Sequence, residues 1–91
     1  MNFEIIYHPL VVGDDIPKLS IGWKTKIQKK IEERLTTHPE TYGKPLRRSL
    51  KGYRKLRVGD YRVIFLLEKN IVKILVIQHR SIVYDRINKR I

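Results

Sequence analysis

Apolar and polar residues alternate at the start of the chain. Phe3, Ile5 and Tyr7 fall on one side of an extended segment, the period of a half-buried strand, and His8-Pro9 ends it. From Leu10 to Leu19 the pattern is mixed. Asp14, Asp15, Ile16 and Leu19 would suit a short helix interrupted by Gly13 and Pro17. Ser20 then reads as the N-cap of the clearest helix, in which Trp23, Ile27, Ile31 and Leu35 recur every four residues as an apolar stripe. Lys24, Lys26, Lys29, Lys30 and Arg34 lie mostly off that stripe and read as a solvated face. Thr36-Thr37-His38-Pro39 stops the helix.

Glu40 to Gly52 reads as a loop, punctuated by Gly43, Pro45 and Gly52 and carrying Lys44, Arg47, Arg48 and Lys51. Three strands follow, over Tyr53–Val58, Tyr61–Glu68 and Ile71–Gln78. Gly59-Asp60 suits a type II′ hairpin, and Lys69-Asn70 turns the second hairpin, with Asn tolerating a left-handed backbone. Arg80 to Arg90 reads as a short terminal helix or tail.

A two-residue loop at Gly59-Asp60 pairs Val58 with Tyr61, Arg57 with Arg62, Leu56 with Val63 and Lys55 with Ile64. Lys55, Arg57 and Arg62 then share one face, and Leu56, Val58, Val63 and Phe65 the other. Like charges directly opposite destabilise a sheet, so an Arg57–Arg62 pair points to an anion bound there. Arg62 interrupts an otherwise apolar strand, where an unpaired charge is costly. Carrying the register through Lys69-Asn70 sets Arg62 opposite Ile77, with His79 on the same face by parity. A helix beginning at Arg80 would place Tyr84 one turn on, on Arg80's side.

Charge sharpens the picture. Twenty Lys+Arg against nine Asp+Glu give a net charge of +11 in 91 residues. That excess opposes compactness and points to a polyanionic partner, a phosphate backbone first and an acidic protein second. The length suits one domain, residues 1–91, with one core. With no cysteine, disulfides and thiolate metal sites are excluded. No signal pattern opens the chain and its apolar runs are too short to span a bilayer, so a cytoplasmic protein without a membrane partner is expected.

The run Gly52-Tyr53-Arg54-Lys55-Leu56-Arg57-Val58-Gly59-Asp60-Tyr61-Arg62-Val63-Ile64-Phe65 closely resembles the signature of the RelE/ParE toxin superfamily. His79-Arg80-Ser81-Ile82-Val83-Tyr84 is similar to that family's terminal basic-plus-tyrosine element, and Gly43-Lys44-Pro45-Leu46 to its loop before the sheet. The resemblance implies an α+β fold of the RelE type: an N-terminal strand and helical hairpin packed on an antiparallel sheet, with a short C-terminal helix or tail. It implies the toxin of a type II toxin–antitoxin system, neutralised by a cognate antitoxin. On the RelE-like branch it implies an endoribonuclease that cuts mRNA on the ribosome, among 16S rRNA, through the RNA's own 2′-hydroxyl.

Carried over by position, Arg62 and Arg80 match phosphate-binding arginines, Tyr84 the terminal tyrosine and Lys55 a strand lysine. Where some members carry a second strand lysine, this chain has Tyr53, and His79 is the candidate to fill part of that gap. Arg54, Arg57, Lys44, Arg47, Arg48 and Lys51 complete the expected RNA-binding set. Neither a metal nor another cofactor is expected. Two alternatives stand beside the nuclease. One is a ParE-type inhibitor of DNA gyrase, and the other a non-catalytic nucleic-acid-binding module.

Overall fold

A computed structural model describes residues 2–46 and 52–91. The strands are β1 (Glu4–Tyr7), β2 (Lys44–Pro45), β3 (Tyr53–Val58), β4 (Tyr61–Glu68) and β5 (Ile71–His79). The helices are α1 (Ile21–Lys30), α2 (Pro39–Tyr42) and α3 (Val83–Arg90). The strands form one sheet in the order β1-β5-β4-β3-β2. Neighbours are antiparallel except β1, which runs parallel to β5 and pairs Glu4 with Ile71 through Tyr7 with Ile74.

Each sheet face has its own cover. Leu56, Val58, Val63, Phe65, Val72, Ile74 and Ile77 are buried with Val11, Ile27, Ile31 and Leu35, so this face meets the helical layer. On the other face Ile64 and Val76 are buried with Val83 and Ile87 of α3, and Leu46, Tyr53 and Leu75 pack around them. Among the described residues α3 is the cover of this second face, which leaves the β3–β4 end to polar side chains.

Ser20 caps α1 as its position suggested, its Oγ accepting from the Trp23 amide at 3.3 Å. After Lys30 the helix widens to π geometry over Ile31–Leu35. Apolar residues spaced by four drift around a helix of 3.6 residues per turn, and the wider turn brings Leu35 back over the sheet. The first arm of the expected helical hairpin is built from a π turn, Val11–Asp15, and a 3₁₀ turn, Ile16–Lys18. The Glu40–Gly52 segment is more ordered than a loop. Pro39 opens α2 from its first-turn position, where a missing N–H costs nothing, and β2 follows at once.

The β3–β4 register is the expected one, including Arg57 opposite Arg62. Gly59 takes φ +58° in the turn, and a Cβ there would lie 2.6 Å from the Trp23 ring. Gly59→Ala is therefore expected to cost about 1–3 kcal/mol, from backbone strain and overpacking together. A urea titration checks it, and an unchanged midpoint would mean that Trp23 yields freely.

Two expectations about the second hairpin are corrected. Lys69, not Asn70, carries the positive φ, at 54°. The register also slips by one between Ile64 and Phe65, so Arg62 faces Gln78 and Ile77 faces Val63. The inserted residue is Leu75, a bulge that turns Ile77 into the core.

Candidate functional site

Side chains from three adjacent strands converge at the β3–β4 end of the second face. Arg57 stands opposite Arg62 and Lys44 opposite Lys55, so cross-strand pairing puts all four on one side. With Tyr42 at the end of α2 they line a recess of about 150 Å³. The α3 helix supplies a sixth group, since Lys55 Nζ donates to Tyr84 Oη at 3.4 Å. Among the described residues no carboxylate lies within 4.0 Å of any of these four cations.

Arg62 is oriented by its own turn. Its Nη1 donates to the carbonyls of Gly59 at 2.8 Å and Tyr61 at 2.9 Å, while Nε and Nη2 have no partner among the described residues. The acids that could have neutralised it are engaged elsewhere. Glu68 pairs with Lys73 at 2.7 Å, and Asp60 faces Arg80 at 3.9 Å. Four uncompensated cations around one recess repel one another, and a bound phosphate removes that cost while accepting charge-assisted hydrogen bonds.

Three expected site residues stand apart from this row. The Leu75 bulge reverses parity beyond it, so His79 pairs with Tyr61 and lies on the helix-covered face instead of sharing the face of Arg62. Its ring meets the Tyr61 ring edge-on at 5.7 Å, and its Nδ1 lies 2.8 Å from Ser81 Oγ. Arg80 precedes α3, which begins only at Val83, so the one-turn relation to Tyr84 does not arise. Arg54 lies on the helix-covered face opposite Phe65 and donates to the Gly43 carbonyl at 2.8 Å, tying α2 to the sheet. Arg47, Arg48 and Lys51 lie outside the described residues.

Other contributors were not anticipated. Tyr42 lines the recess, and its one sequence signal is an aromatic residue just before Gly43-Lys44. Tyr53, standing where a second lysine was looked for, packs on the Ile64–Val83 cluster.

The placement of α3, and so of Tyr84, depends on a buried ion pair. Asp15 is 1% exposed and accepts both guanidinium nitrogens of Arg90, Nη1 at 2.7 Å and Nη2 at 2.8 Å. It also takes the Ile77 amide at 2.8 Å, a donor on the stretch of β5 that β1 leaves uncovered beyond Ile74. Arg90 in turn donates to the carbonyl of the bulge residue Leu75 at 3.0 Å. The hydrogen bonds to Asp15 raise the Arg90 pKa further above its ordinary value.

A larger recess of about 220 Å³ lies on the helix-covered side among Tyr7, Ile16, Leu19, Ile27, Ile31 and Ile77. Its lining is mostly apolar, whereas the cation row offers the charge that an anionic ligand requires.

A family model described as the ParE toxin of type II toxin–antitoxin system, parDE, matches residues 3–84. The chain belongs to this toxin family. Among solved structures, this ParE-family toxin is similar to the toxin–antitoxin complex RelBE2 from Mycobacterium tuberculosis. That match has a TM-score of 0.81 at 27% identity, over 88% of this chain and 100% of that one. A doubly substituted RelE from E. coli in the free state superimposes with a TM-score of 0.76 at 20% identity, covering 100% and 99% of the two chains. YafQ from E. coli reaches 0.56 at 18% identity over 87% and 94%. The last two show the fold alone. No curated protein matches in a sequence search. The α+β architecture implied by residues 52–65 is thus that of the RelE/ParE superfamily. Among the described residues no helix is long and apolar enough to cross a membrane.

Proposed function

We propose that this toxin is a ribosome-dependent mRNA endonuclease held in check by a cognate antitoxin, the latter supported by its similarity to a chain of the RelBE2 complex. The observation that carries the reading is the uncompensated row of Lys44, Lys55, Arg57 and Arg62 around one recess, with Tyr84 against Lys55. Attack by the RNA 2′-hydroxyl forms the O2′–P bond and breaks the P–O5′ bond. One proton leaves the 2′-oxygen and another is delivered to the 5′-oxygen. The free Nε and Nη2 of Arg62, with Arg57 opposite, suit the charge that develops on the phosphate oxygens. Lys55 is the candidate to take the 2′ proton, a step that requires its neutral amine, and Tyr84 orients the nucleotide beside it. With His79 on the other face, the row holds no evident acid for the 5′-oxygen. Alignment by the ribosome is therefore part of the reading.

The family description favours a second reading, a ParE-type protein that binds DNA gyrase and cuts nothing. Translation in vitro with purified protein, followed by primer extension on the message, separates the two. Discrete cuts at codons in the ribosomal A site, with naked mRNA left intact, are the expected result. Rapid cutting of naked mRNA would remove the ribosome from the mechanism. Intact message together with blocked gyrase supercoiling would establish the second reading instead.

A further inference from the structure

We infer that Tyr42 is a stacking platform for an unpaired nucleobase, placed beside the phosphate-binding row so that the site grips one nucleotide by its backbone and by its ring. The inference rests on the reading of that row as an RNA site and adds a subsite to it.

Position is the first argument. Among the described residues that line the recess, Tyr42 is the one that carries no charge, and the other four are all cations. A ligand filling the space meets both anion-binding groups and an aromatic ring, which is the chemistry of a nucleotide. A tyrosine whose role was to close the core would be covered, yet Tyr42 is 43% exposed.

Rigidity is the second. The Arg34 guanidinium lies over the Tyr42 ring, 4.9 Å from its centroid, and the His38 ring meets it edge-on at 6.4 Å. These contacts hold the ring before any ligand arrives, so little side-chain freedom is left to lose on binding. The backbone beneath is fixed as well. At Gly43 a Cβ would collide with the Phe65 ring, so the chain lies directly against the sheet there. Arg54 holds the Gly43 carbonyl from below. An exposed aromatic ring over-determined in this way is preformed for stacking. Stacking on a base is sequence-tolerant, because every base offers a π face.

The test is a fluorescence titration of the full chain with a short, single-stranded 2′-O-methyl oligoribonucleotide, which cannot be cleaved, and with a matched oligonucleotide carrying abasic sites. Tyr42→Ala is expected to weaken binding of the intact oligonucleotide roughly 5- to 150-fold, the range seen when one base loses an aromatic partner. Tyr42→Phe should bind like wild type. The abasic oligonucleotide should bind wild type more weakly by a similar factor and be indifferent to Tyr42→Ala.

Equal weakening of both oligonucleotides by Tyr42→Ala would overturn the inference, because the tyrosine would then only shape the recess. Wild-type affinity in Tyr42→Ala while Arg62→Ala weakens binding would overturn it too and leave the RNA site standing. If wild type binds neither oligonucleotide, and Arg62→Ala leaves toxicity unchanged, the RNA reading itself falls and takes the platform with it. Melting temperatures of the variants, with Tyr42→Phe as the ring-retaining control, identify any loss due to unfolding.

Discussion

Arg62→Ala should slow single-turnover cleavage on ribosomes by about 10²–10³-fold, the usual consequence of removing one donor aimed at developing charge. The geometry sharpens this expectation. Nη1 is committed to the Gly59 and Tyr61 carbonyls, so the remaining edge of the guanidinium is held in a fixed direction. Lysine should restore only part of the rate. It keeps the charge, but it cannot hold the turn and present a planar pair of donors together.

Stability should change little. Two hydrogen bonds to partly exposed turn carbonyls are lost, each contributing about 0.5–1.5 kcal/mol, while relief of the repulsion with Arg57 recovers part of that. Cleavage and a denaturant titration on the same preparations decide the matter. A destabilised Arg62→Ala that cuts at near the wild-type rate would make this arginine a scaffold residue and remove the main support for the nuclease.

The second large effect belongs to the ion pair beneath α3. Arg90→Ala should destabilise the domain by about 3–5 kcal/mol, the cost of leaving a buried charge without its partner. Asp15 keeps the Ile77 amide and Gln78 but loses both guanidinium bonds, and the Leu75 carbonyl loses its donor. Domains of this kind have about 5–15 kcal/mol in all, so the loss is a large share. Replacing Asp15 and Arg90 together by apolar residues of similar volume should recover much of it. Guanidinium unfolding of the two single variants and the double one provides the cycle. Additive losses would show that the pair is not coupled, against the bidentate geometry.

The sequence made the first hairpin legible because its signals agree. Gly59-Asp60 sits between alternating runs, and parity then sorted Lys55, Arg57 and Arg62 from Leu56, Val58, Val63 and Phe65. The same parity assigns Arg54 to the helix-covered face with Leu56, a consequence available from the residues once the register was adopted. The Leu75 bulge was hidden for a physical reason. A central strand buried on both faces, such as β5, has a near-continuous apolar sequence, so one extra residue leaves no break in its alternation and no glycine marks it. The misplacement of His79 followed directly. Asp15 and Arg90 were opaque in another way. Each sits beside a residue of like charge, Asp14 and Lys89, and nothing local distinguishes the buried member from the solvated one. Pro39 carries the sequence signal of a helix end although it also begins α2, and the same signal masks the helical setting of Tyr42.

The tie between Asp15 and Arg90 also sets a schedule. The two are separated by 75 residues, which a ribosome adds in roughly 4–15 s at 5–20 residues per second. Until Arg90 is made the Asp15 carboxylate lacks its guanidinium partner, and β1 has no parallel partner before β5 follows it. Such long-range closures are slow to form and contribute stability only once complete. Tyr84 arrives with the same late segment, so a chain still being translated carries the cations without the helix that completes their setting. On the nuclease reading, the domain is expected to become active only once α3 has docked.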